Sequence, residues 1–118
     1  MTAVKYKRLI RDHLSRAYML SDDKIDTFMP RFLTTLQTHL DNLQRPVATK
    51  NLEELSRAAH TMKGALLNLG LKDLADVAYQ LELQSKAGDM ASDYQTRAEQ
   101  LAREISIIIT IGDGEAAD

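Results

Sequence analysis

A histidine, a lysine three residues on and a glycine four residues on stand together in the run Ala-His-Thr-Met-Lys-Gly-Ala-Leu-Leu-Asn-Leu-Gly, Ala59 to Gly70. Leu52, Leu55, Ala59, Met62, Leu66 and Leu69 recur at steps of three and four, which makes one buried stripe of a helix and no sensible strand. At about 100° per residue, His60 then points roughly 130° away from the centre of that stripe, into water. Lys63 and Gly64 are its neighbours on the same surface. Neutral imidazole is a nitrogen nucleophile near pH 7, with an unperturbed pKa of about 6.5. A phosphoryl group arriving on it brings negative charge that a nearby ammonium offsets without covalent chemistry. Glycine leaves room for a second protein to bring its own phosphorylated group close. Taken alone, His60 reads as a solvated side chain, and a lysine nearby is commonplace. The whole A-H-x-x-K-G string on one helix face is what favours chemistry.

The elements that must hold this face are helical. The spacing predicts a first helix over about Val4 to Met19, with Tyr6, Ile10, Leu14 and Ala17 on its apolar side. Ser21 is a candidate cap for a second helix from Asp22 to about Leu43, with Ile25, Phe28, Met29, Phe32, Leu36, Leu40 and Leu43 inward. Pro30 is expected to kink or split it, and Gln44 to Lys50 to form a loop around Pro46. Asn51 and Glu54 have capping-box spacing at the start of the third helix, which Gly70 ends. A fourth runs from about Lys72 to Ala87, with Leu74, Ala78 and Leu81 inward and Gly88 as its stop. Asp89 is the candidate cap of a fifth, carrying Tyr94, Ala98, Leu101, Ile105 and Ile108. Its isoleucine-rich end favours strand locally, but no partner strand exists. Short connections make neighbours antiparallel, so the expected fold is all-α. It is an up-down-up-down four-helix bundle over 22–111, with an additional N-terminal helix over 1–20 and a flexible acidic tail over 112–118.

The string A-H-T-M-K-G-A-L-L-N-L-G resembles the signature of histidine-containing phosphotransfer (HPt) domains, the relay modules of two-component signalling. The likeness in helix order and lengths covers about Ile25 to Ile108. It implies that His60 is phosphorylated by an aspartyl-phosphate of a response-regulator receiver domain, or returns the group to one. It implies that Lys63 stabilises the phosphoryl group and that Gly64 gives docking clearance. Family members often place a polar residue, commonly Gln, on the next helix near the imidazole, and the corresponding position here is Glu82. A carboxylate only accepts, so Glu82 can take the proton-bearing ring nitrogen and orient the imidazole; the other reading is an ordinary solvated acid. One departure follows the glycine, where the family usually has small residues and this chain has Leu66 and Leu67. Leu66 falls on the core stripe. Leu67 projects about 20° from His60, either as part of a docking surface or under a neighbouring helix.

The implied role is a phosphoryl carrier without ATP-dependent kinase activity of its own, and no phosphate-cradling glycine loop is present. Its implied partners are a receiver domain or a hybrid sensor histidine kinase, with no cofactor. The alternative is a helical adaptor that binds a receiver domain without carrying phosphate. A hydrolase using His60 as general base lacks a readable nucleophile or oxyanion site.

At 118 residues, with 44% hydrophobic and 27% charged residues, the chain has the composition of one globular domain. It contains no Cys, which excludes disulfides and thiolate zinc sites and fits a reducing compartment. His13 reads as a surface residue and His39 as surface or bundle edge, both without metal spacing, so no metal is expected. The net charge of −2 predicts neither a nucleic-acid nor a membrane partner. No apolar run suits a signal peptide or a membrane span, so a cytoplasmic protein is expected. A monomer is expected, although the pattern would also allow a helix pair to be exchanged between chains. The starting Met and the acidic tail favour a free-standing protein.

Overall fold

Short polar side chains open most of the helices. Thr2 accepts from the Lys5 amide at 3.2 Å and starts α1 (Ala3–Tyr18). Ser21 accepts from Lys24 and starts α2 (Asp22–Thr49). Asn51 accepts from the Glu54 amide and starts α3 (Leu52–Asn68); its side-chain amide donates to the Glu54 carboxylate, while its backbone amide bonds to the Pro46 carbonyl, so only the first half of the capping box forms. Asp93 accepts from Thr96 and starts α5 (Tyr94–Ile109). Between these, α4 (Lys72–Lys86) starts directly out of the turn at Gly70. The computed structural model describes residues 1–113.

Gly70 and Gly88 end α3 and α4 as expected. Gly70 has φ +77°, its amide bonds to the Leu67 carbonyl, and the Leu71 amide bonds to Leu66. Gly88, with φ +73°, repeats the pattern through Ser85 and Gln84. These are six-to-one and five-to-two bonds around a left-handed residue, which satisfy the last carbonyls of each helix.

Three expectations need correction. The second helix does not stop at Leu43, and no loop surrounds Pro46. Instead α2 runs through Pro30 and Pro46 to Thr49. The carbonyls these prolines leave without a helical donor belong to Asp26 and Asn42, both exposed, so water can satisfy them. Pro46 and Val47 also continue the buried stripe of Leu36, Leu40 and Leu43, and that burial outweighs the breaker. Asp89 does not cap α5: its carboxylate takes the Ala91 amide and the Ser92 hydroxyl, organising the turn, while Asp93 is the cap. The end of α5 passes into a 3-10 turn, Thr110–Asp113, that packs on α1 and α2, so the tail begins later than residue 112. The remainder of the expected flexible tail lies outside the described residues.

The fold is the expected all-α, antiparallel four-helix bundle. α2, α3, α4 and α5 are neighbours in a closed ring, with α3 and α4 in the most extensive contact. Its core is filled by fully buried Ile25, Leu36, Leu43, Leu55, Met62, Leu66, Leu81, Leu101, Ile105 and Ile108. Leu33, not assigned inward from the pattern, is in this core, whereas Phe28 and Phe32 are half-buried and pair ring to ring at 6.2 Å. α1 packs on α2 and α5 at the end where α2 begins and α3 turns into α4. Arg11 pairs with Asp22 and Asp26, Tyr6 donates to Glu104, and Tyr18 donates to Asn68.

Candidate functional site

The α3 stripe decides what faces out. With Ala59, Met62 and Leu66 at zero exposure, His60, Lys63, Gly64 and Leu67 are turned to the other side. α4 returns antiparallel beside them, and burial of Ala78, Leu81 and Ser85 places Glu82 at the seam between the two helices. His60 and Glu82 differ sharply in environment: the imidazole side chain is 66% exposed and the carboxylate 3%.

His60 Nδ1 lies 2.9 Å from Glu82 Oε2. A carboxylate has no proton to give, so Nδ1 carries the hydrogen and donates it. The neutral ring then keeps its lone pair on Nε2, the nitrogen away from Glu82, on a side chain open to solvent. Lys63 Nζ donates to Glu82 Oε1 at 2.8 Å, and Lys86 Nζ sits 3.2 Å from Oε2. Burial acts most strongly on the Glu82 carboxyl and pushes its pKa up. The hydrogen bonds from Lys63, Lys86 and His60, with the charge of Lys63, together outweigh it and hold the group down at about 2. Glu82 is therefore a buried anion at neutral pH. The reading of Glu82 as a solvated surface acid does not hold, because helix packing removes it from water.

Lys63 has a second neighbour, since its ammonium lies 4.7 Å from the centroid of the Tyr79 ring. Gly64 borders open space: a Cβ built there would meet nothing within 4 Å. Nothing inside the molecule demands glycine at this position. Leu67 is 45% exposed, so neither α1 nor α4 covers it.

Two members of this group were not singled out from the sequence. Lys86 follows Glu82 at the i+4 spacing that pairs acids with bases along a helix, a signal that was legible. Tyr79 precedes Glu82 by three residues and shares its face, but only the packing of α3 on α4 brings it to Lys63. His13, read as a surface residue, is half-buried instead and its ring covers Gly70. His39 is half-buried in a polar cleft between α2 and α3, with Arg45 and Arg57.

The bundle thus presents an exposed imidazole backed by a buried carboxylate, with one ring nitrogen left free of a partner within the site. A family model described as the Hpt domain matches residues 28–109. The chain belongs to the Hpt domain family, whose members act as histidine phosphotransfer carriers in phosphorelays and are not kinases. Comparisons with curated proteins and with solved structures found no match. Among the described residues, no helix is long and apolar enough to cross a membrane.

Proposed function

We propose that this chain is a phosphorelay intermediate that exchanges a phosphoryl group between His60 and the aspartyl-phosphate of a receiver domain. The observation that carries the reading is the hydrogen bond from His60 Nδ1 to buried Glu82, which leaves Nε2 as an accessible nucleophile. In the forward step the Nε2 lone pair attacks phosphorus and the P–O bond to the aspartate breaks. The aspartate leaves as a carboxylate. The ring keeps its Nδ1 proton and becomes cationic, facing the Glu82 carboxylate, which favours that charge. The reverse step runs through the same atoms. Lys63, with donors to spare beyond its bond to Glu82, supplies a cation beside the incoming oxygens.

Gly64 supplies clearance for the receiver's own active site, and Leu67 an apolar contact on the same face. In this reading a receiver domain or a hybrid histidine kinase is the partner, and the chain works as a cytoplasmic monomer. It carries the group and has no ATP-dependent kinase step.

Incubation with a receiver domain phosphorylated on its aspartate tests the proposal. Label should appear on the chain with the acid-labile, base-stable behaviour of a phosphoramidate, and His60→Gln should accept none. Because the imidazole is mostly exposed and Gln keeps an N–H donor for Glu82, that variant should fold with stability within about 0.5 kcal/mol of the parent. Receiver binding without label would instead identify a helical adaptor.

A further inference from the structure

We propose that Tyr79 is a positioning residue for phosphoryl chemistry at His60, holding the Lys63 ammonium against the site through the face of its ring. The inference rests on the reading of His60 as the phosphorylated residue, and extends it to a side chain outside the histidine motif.

Lys63 is long and four-jointed, and an exposed lysine spreads over many rotamers. Here its ammonium lies between two surfaces supplied by α4: the Glu82 carboxylate at 2.8 Å and the Tyr79 ring at 4.7 Å from its centroid. Its side chain is only 23% exposed, against 62% for Lys86, which touches the same carboxylate without a ring beneath it. Tyr79 and Glu82 are one helical turn apart, so a single rigid element presents both surfaces. When a phosphoryl group arrives on Nε2, Glu82 is drawn toward the cationic ring and competes less for Lys63. The π-face then keeps the ammonium at the site while its free N–H donors turn to phosphoryl oxygens. The charged and titratable groups of this cluster are Lys63 and His60 from α3 with Glu82, Lys86 and Tyr79 from α4. Tyr79 is itself 41% exposed, so its replacement leaves no cavity in the core.

The test uses the full chain phosphorylated with phosphoramidate, whose P–N bond breaks with loss of ammonia as the Nε2–P bond forms. No receiver is present, so docking does not enter. Tyr79→Leu keeps apolar bulk and removes the π-face; Tyr79→Phe keeps the face and removes the hydroxyl. The lifetime of phosphohistidine should fall about two- to fivefold in Tyr79→Leu, the size of an exposed cation–π contact, and stay at the parent value in Tyr79→Phe. In a Lys63→Met background, Tyr79→Leu should have no further effect. The upfield ring-current shift of the Lys63 ε-methylene protons, read by NMR on unphosphorylated protein, should vanish in Tyr79→Leu and persist in Tyr79→Phe. Equal losses in both tyrosine variants, or an undiminished effect without Lys63, would overturn the proposal. So would an unchanged lifetime once the NMR shift is lost. Failure of every form to accept label on His60 would refute the carrier reading itself, and with it the role of Tyr79, while the NMR shift would still report the Lys63–Tyr79 contact.

Discussion

In the proposed role, which nitrogen of His60 attacks depends on which one holds the proton, and that choice falls to one oxygen of Glu82. The carboxylate is in turn kept ionised by its two lysines, since burial alone would favour the neutral acid. This has a consequence for acid stability. The folded pKa of about 2 lies below the ordinary 4.5, so the ionised pair stabilises the fold above pH 4.5 and loses that contribution as pH falls toward 2. Glu82→Gln keeps an acceptor for Nδ1 but removes the charge. It should be less stable than the parent by about 1–3 kcal/mol at neutral pH, with the gap closing on acidification. Denaturant unfolding at pH 7, 4, 3 and 2.5 measures this; parallel curves across that range would mean Glu82 is not ionised through its lysines.

On the scale of helices, the outward face of α3 allows the proposed docking role to be tested apart from folding. Gly64 costs helix stability and a Cβ there would touch nothing inside the protein, which agrees with the proposed role as docking clearance. Gly64→Gln should raise stability by roughly 0.5–1 kcal/mol and still block transfer from a receiver domain. Leu67→Asp, one turn along, should leave folding unchanged and weaken receiver binding through lost apolar contact. Calorimetric melting with receiver titration reads both, and normal transfer by a stabilised Gly64→Gln would move the docking face elsewhere. In α2, Pro30 is exposed and interior to the helix. Pro30→Ala restores a donor to the Asp26 carbonyl at no cost in packing, and should stabilise the chain by about 1–3 kcal/mol without altering phosphoryl acceptance. A lower melting temperature would show that the bundle requires the local geometry proline imposes.

Across the whole molecule, α1 is tied to the turn that joins the two site helices. A Cβ on Gly70 would fall 2.5 Å from His13 Cγ and 2.6 Å from its Cβ, and φ +77° already disfavours any other residue. Gly70→Ala should therefore cost at least about 2 kcal/mol. Adding His13→Gly should return part of that loss, because it removes both Cγ and Cβ from the path of the new methyl and leaves the backbone strain. A double-mutant cycle by thermal unfolding measures the coupling; strict additivity would mean the imidazole does not seat on the turn.

Local pattern was enough for the number of helices, the caps at Ser21 and Asn51, the glycine stops and the outward direction of His60, Lys63, Gly64 and Leu67. Each depends on residues within about one helical turn, where periodicity and backbone chemistry act directly. Those same rules placed a break at Pro46 and a cap at Asp89, because they weigh a proline or an aspartate without knowing what the stripe beyond it buries. Packing decided those cases: Pro46 and Val47 go into the core, and Asp89 is taken by its own turn. The character of Glu82 was likewise beyond local reading. Whether a carboxylate is solvated or is a buried anion holding an imidazole depends on how α4 lies along α3, and its partners come from both helices. Proximity between side chains 19 and 22 residues apart in the chain is a property of tertiary packing alone.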